Sequence, residues 1–91
     1  MAKKPTVNLN RKPRPIRCWG IVWRSQNARD GRQESLLWNY GLPRIFETRR
    51  KAREWIEGEY GYIRNRPDLR GEPLGWRMPK PVRITLTVTV E

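Results

Sequence analysis

The last ten residues fix one element before any other argument is needed. Val82, Ile84, Leu86, Val88 and Val90 alternate with Arg83, Thr85, Thr87, Thr89 and Glu91. A period of two sends these sets to opposite sides of an extended chain, which predicts a strand over 82–91 with one core face and one wet face. Residues 16–24 are apolar on both parities, with Ile16, Cys18, Gly20 and Val22 on one side and Arg17, Trp19, Ile21 and Trp23 on the other. That pattern predicts a central strand covered on two sides. Asp30-Gly31 is a turn signal. Residues 35–40 read as a second strand, with Leu36, Trp38 and Tyr40 on one face, interrupted by Gly41 and Pro43; residues 44–47 read as a short third strand.

Thr48 is the strongest helix N-cap in the chain. After it, Ala52, Trp55, Ile56 and Tyr60 fall on one face at helical spacing and Gly61 offers a stop, so a helix is predicted over 49–60. Residues 61–81 are rich in proline and glycine and read as an ordered loop pinned by Tyr62, Leu69, Leu74 and Trp76. The order strand–strand–(strand)–helix–loop–strand predicts an α+β fold, a small antiparallel sheet of three to four strands with one helix packed on a face. In that arrangement Trp55, Ile56 and Tyr60 meet Val82, Ile84, Leu86 and Val88. Residues 16–91 form the single domain, and residues 1–15, with three prolines, five basic side chains and no apolar period, read as a basic disordered arm.

Ninety-one residues suffice for one domain, and five tryptophans supply core area that the 36% of hydrophobic residues would not otherwise give. The net charge of +11 exceeds what solubility asks of a small domain, a magnitude of about 2–8. Residues 1–32 balance at +8, residues 33–63 at zero and residues 64–91 at +3. Such an excess repels itself in a compact chain and calls for an anionic partner. Fifteen arginines stand against five lysines; arginine's planar fork grips phosphate with two bonds and stacks on rings, although a GC-rich genome would give the same bias. No apolar run is long enough for a membrane helix, no basic amphipathic helix is visible, and the N-terminus lacks the apolar core of a secretory signal. With Cys18 the only thiol, these features lead us to expect a protein of the bacterial cytoplasm, off the membrane.

Catalytic chemistry finds no footing in the sequence. Without histidine and with one cysteine, the usual metal frameworks are missing, so neither metal nor cofactor is expected. Glu54, Glu57 and Glu59 look like partners for Arg50 and Arg53 at four-residue spacing rather than an acid–base pair. Ser25 and Ser35 have no histidine to activate them, and Gly71 to Gly75 lacks the lysine of a phosphate loop. We expect no enzyme.

The helix start breaks a local rule. Arg49-Arg50-Lys51 opens the helix, where unpaired N–H groups already carry partial positive charge, and Glu54, Glu57 and Glu59 follow toward the negative end. A phosphate docked there would make the layout favourable; pairing of arginine with glutamate along the helix would also offset it. The arm offers Arg11, Lys12 and Arg14, as a groove-tracking segment or as a solvated terminus, and Arg17 follows it. Trp19 and Trp23 share a strand face and serve either as core or as a stacking platform for bases.

Two resemblances follow from these segments. Residues 19–24, Asp30-Gly31-Arg32, Ile45-Phe46-x-Thr48, Ala52 and Trp55-Ile56 together resemble the arm-type DNA-binding domain of phage integrases over about residues 17–57. That resemblance implies three strands and a helix, with the sheet inserted into the DNA major groove. The 36–43 segment, the strand after the helix and the lack of a recombinase domain depart from it, so integrase activity is not implied. Tyr60-Gly61-Tyr62-Ile63-Arg64, Arg66-Pro67-Asp68-Leu69-Arg70 and Gly75-Trp76-Arg77-Met78-Pro79 resemble small uncharacterised proteins of phages and prophages, a class that includes inhibitors of host machinery such as CRISPR nuclease complexes.

The expectation is therefore a phage-type accessory protein that binds nucleic acid, DNA or RNA, contacting phosphates through Arg11, Lys12, Arg14, Arg17, Arg49, Arg50 and Lys51, with Trp19 or Trp23 stacking. The alternative is an inhibitor of a host nucleic-acid-processing complex, such as an anti-CRISPR, whose arginines meet acidic grooves. The threonine-rich last strand could also serve as an edge for a homodimer.

Overall fold

A computed structural model describes residues 15–90. The chain is α+β: an antiparallel sheet of four strands, one of them very short, with one main helix on a face. Residues Met1 to Arg14, including the proposed contacts Arg11, Lys12 and Arg14, lie outside the described residues. Pro15, read from the sequence as the end of the arm, instead opens the first strand.

That strand, β1 (Pro15–Asn27), is the spine of the fold. It turns through residues 28–30 into β2 (Gly31–Leu36), which pairs back on it from Asn27↔Gly31 to Val22↔Leu36. The turn is tied by the Asn27 side chain, which accepts from Asp30 N at 2.7 Å. The same edge of β1 is continued by β5 (Ile45–Phe46), with Trp19↔Phe46 and Gly20↔Ile45 in register. β2 and β5 are thus one edge strand split by an insertion. The insertion is a separate two-stranded hairpin, β3 (Trp38–Asn39) with β4 (Leu42–Pro43). Its turn puts Tyr40 and Gly41 at φ +51° and +81°, the pair of positive angles that suits the twist of a two-residue hairpin. The predicted strand over 35–40 is therefore corrected: pairing starts at Gly31 and breaks after Leu36, because the hairpin peels its own strands away.

The helix α1 (Arg49–Tyr60) has the predicted bounds. Thr48 caps it, accepting from Lys51 N at 3.1 Å. Gly61 does not end the winding; the chain tightens into a 3₁₀ turn (Gly61–Asn65), followed by a single helical turn, α2 (Pro67–Arg70). The predicted loop 61–81 is shorter than expected, since β6 runs from Trp76 to Thr87 and pairs with β1 along its length. Pro79 and Pro81 are tolerated because β6 lies at the sheet edge and carries a bulge, where Val22↔Lys80 steps to Arg24↔Arg77. At the return into β6, Gly75 adopts φ +62°, and a Cβ there would lie 1.8 Å from Gln26 O. Only glycine fits that crossing.

The helix takes the face opposite to the one expected from the last strand. Ile21, Ala52 and Ile56 form the core, with Trp19, Leu37, Phe46, Trp55 and Met78 packed against it. Register places Val82 opposite Gly20, Ile84 opposite Cys18 and Leu86 opposite Ile16, on the other side of the sheet. Both parities of β1 are apolar, and size decides between them: the bulky Trp19, Ile21 and Trp23 need a helix to fill against. On the small-residue side a Cβ on Gly20 would come within 3.0 Å of Leu36 Cδ1 and 3.2 Å of Ile84 Cδ1. Edge-strand side chains lean inward there and bury Cys18 and Gly20. Val88 and Val90 lie beyond the strand and are exposed.

Candidate nucleic-acid interface

The helix-bearing face divides at Trp19. Toward the C-terminal half of β1 it is a continuous run of rings. Phe46 packs on Trp55 at 5.7 Å, Trp55 on Tyr60 at 5.7 Å, Tyr60 on Trp23 at 5.6 Å, and Trp23 on Trp76 at 5.3 Å, mostly tilted or edge-on. Such pairs add roughly 0.5–1.5 kcal/mol each beyond area burial. Burial raises the Tyr60 hydroxyl above its ordinary value, aided by nearby Tyr62 and Glu59. Trp23, one of the two expected stacking residues, is half-buried with its ring against Tyr60 and Trp76, and works inside this cluster.

Trp19 is placed differently. One side packs on the core, and its ring is approached by two guanidinium groups, Arg49 at 5.9 Å from the helix start and Arg83 at 5.2 Å from β6. Arg17 shares its strand parity two residues earlier and is exposed. Opposite Arg17 stands Thr85. Half-buried tryptophan flanked by arginine is a surface suited to anions and flat rings together. Arg83 was not singled out in the sequence, where it reads as part of the wet face of the last strand; only the Trp19↔Arg83 register brings it here.

Not all of the expected basic residues join this cluster. Arg50 is paired with Glu54 at 3.1 Å and Lys51 with Glu47 at 3.3 Å, both pairs exposed. Exposed pairs contribute at most about 1 kcal/mol, so a phosphate could displace either carboxylate. Glu57 does not pair with Arg53 as four-residue spacing predicts; Arg64, from the 3₁₀ turn, takes it with two hydrogen bonds and holds its carboxyl below the usual range. Arg32–Glu34 and Arg66–Asp68 complete the ion pairs among the described residues. Arg17, Arg49 and Arg83 have no carboxylate partner among the described residues, so the cluster at Trp19 is cationic in net terms.

A second exposed feature escaped the sequence reading. The β3–β4 hairpin presents Trp38 at 62% exposure, Tyr40 at 100% and Leu42 at 70%. Its base is closed by Arg44 N donating to Leu37 O at 2.9 Å, and the Arg44 guanidinium sits 4.9 Å over Trp55. The positive φ of Tyr40 belongs to the turn that closes this hairpin, and it leaves the Tyr40 side chain fully in solvent. The sequence signal was present in Gly41, Pro43 and the aromatics Trp38 and Tyr40 before them, but an aromatic alternation looks the same in a core strand as in a projecting ribbon.

Among the described residues no three metal-ligating side chains stand together, and no helix is long and apolar enough to cross a membrane. No protein-family model matches the chain, and no curated protein or solved structure matches it either.

Proposed function

We propose that this protein binds nucleic acid as a small phage-type accessory protein, gripping phosphates with Arg17, Arg49 and Arg83 around Trp19, and with Arg50 and Lys51 once their surface ion pairs open. The observation that carries this reading is the meeting of two guanidinium groups on the Trp19 ring at the start of α1. Phosphate oxygens are met by the forks and the helix end, and a splayed base can slide onto the indole. Arg11, Lys12 and Arg14, which precede β1 in the sequence, would add phosphate contacts to these. The chemistry at this site is binding; the bacterial cytoplasm is the compartment where such a partner is met.

The test is anisotropy of a labelled oligonucleotide titrated with wild type and with the Arg17→Gln/Arg49→Gln/Arg83→Gln variant, each checked for native circular dichroism. Loss of three phosphate contacts should weaken binding by roughly one to two powers of ten at 50 mM salt. A folded variant binding as tightly as wild type would overturn the assignment of this cluster.

The exposed hairpin favours a second reading, inhibition of a host nucleoprotein complex, since tryptophan and tyrosine are the commonest anchors of protein interfaces. A pull-down from host lysate separates the two: one protein retained after nuclease treatment supports inhibition, whereas loss of everything supports direct binding to nucleic acid.

A further inference from the structure

The uncovered face of the sheet is apolar only over half its length. Beyond Val22 it becomes a basic depression of about 240 Å³, lined by Arg24, Arg32 and Arg77 with Glu34 among them. Register places these side chains together: Arg24 stands opposite Glu34 on one side and Arg77 on the other, Gln26 opposite Arg32, and Val22 opposite Lys80. The bulge in β6 is what returns Arg77 to this face, and it frees the Met78 carbonyl, on which Arg24 is anchored by two bonds of 3.0 and 2.7 Å. Arg77 is steadied by Gln26 Oε1 at 3.3 Å. Glu34 is the one acid, and it answers mainly to Arg32, which donates to it at 2.8 Å. Its carboxyl is held low by that hydrogen bond and, against some burial, by the charges of Arg32, Lys80 and Arg24. Four cations around one carboxylate leave the depression strongly positive, with Arg24 fixed in advance of any ligand.

We propose that this depression, lined by Arg24, Arg32 and Arg77 with Lys80 close enough to act on Glu34, is a second phosphate-binding site, so that one molecule holds two nucleic-acid segments on opposite faces of its sheet. The proposal rests on the nucleic-acid reading of the Trp19 cluster and adds a site to it. The two clusters point in opposite directions, and along β1 Trp19 and Arg24 are five residues apart, about 17 Å at strand rise. A short duplex is a stiff rod far below its persistence length, so it cannot bend round the sheet edge to reach both. Two duplexes can be held instead.

The experiment uses the full chain with two separately labelled 20-base-pair duplexes, donor and acceptor, at low salt. Wild type should produce energy transfer that rises with protein and falls again when protein saturates each duplex singly. The Arg77→Gln/Lys80→Gln variant, which keeps the Arg24 anchor and so the fold, and the triple variant adding Arg24→Gln should bind one duplex within about threefold of wild type while losing roughly tenfold or more of the bridging signal. Bridging at the wild-type level in both variants would overturn the second site and point to self-association. Wild type that binds one duplex normally but gives no transfer would also overturn it, leaving the Trp19 cluster standing. Wild type that binds no duplex at low salt would remove the first reading and this one together.

Discussion

Trp19 and Trp23 sit on the same face of the same strand, four residues apart, and have opposite surroundings. Both are half-buried, but Trp23 has the rings of Tyr60 and Trp76 beside it, while Trp19 has one side on the core and its ring under the guanidinium groups of Arg49 and Arg83. Strand geometry gives both the same direction, so the helix makes the difference. α1 ends over Trp23 and begins beside Trp19, and its start brings arginine where its end brings tyrosine. One helix thus closes an aromatic core at one end and opens a cationic surface at the other. Residue type and spacing alone treat the two tryptophans alike.

The sharpest way to break this comparison is to truncate each ring in turn. Trp23→Ala removes two ring pairs, with Tyr60 and Trp76, of roughly 0.5–1.5 kcal/mol each together with the area they cover, read as a drop in the urea midpoint. If Trp23→Ala instead kept its stability and lost affinity, the two rings would have exchanged roles. Trp19→Ala should also cost stability, since one side of the ring packs on the Ile21, Ala52 and Ile56 core, and should in addition weaken binding to single-stranded oligonucleotide by about tenfold, as expected for one base stack of roughly 1–3 kcal/mol. Thr48→Ala tests the helix start beside it: loss of the cap to Lys51 N should destabilise by about 1 kcal/mol in thermal melts, and should weaken binding only through the loosened Arg49.

The smallest expected effect is in acid. Glu57 lies below its ordinary value of 4.5 because Arg64 hydrogen-bonds it, so its contribution to stability is fully present above that value and is lost as pH falls through the lowered one. Glu57→Gln should therefore lower the neutral plateau slightly, as expected for an exposed pair, and leave the acid end where it was, so that the acid limb of a stability–pH curve flattens. An unchanged acid limb would show that the 3₁₀ turn is held to α1 by other contacts, such as those of the buried Ile63.

Much of the fold was legible in the chain. Residues 49–60 announced a helix through Thr48 and the spacing of Ala52, Trp55 and Ile56, because caps and periodicity are local. The early start of β6 was hidden by Pro79 and Pro81, since a sequence does not show which strand will lie at an edge or bulge. The helix-facing side of the sheet was misread because alternation tells which residues share a face and not which face another element takes. Arg83 was missed for the same reason: its value comes from standing across from Trp19, and register is a pairing between segments more than sixty residues apart. The hairpin was read as an interrupted strand, because nothing in Trp38 and Tyr40 themselves distinguishes a buried from a projecting aromatic.

The central claim is that arginines gathered around Trp19 hold a phosphate backbone. Its most direct measurement is the slope of log affinity against log salt for a duplex oligonucleotide, in wild type and in the Arg49→Gln/Arg83→Gln variant. The account predicts a steep wild-type slope and a variant slope shallower by roughly 2, since each phosphate contact contributes about 0.9. Equal slopes in the two proteins, or wild-type binding indifferent to salt, would contradict it.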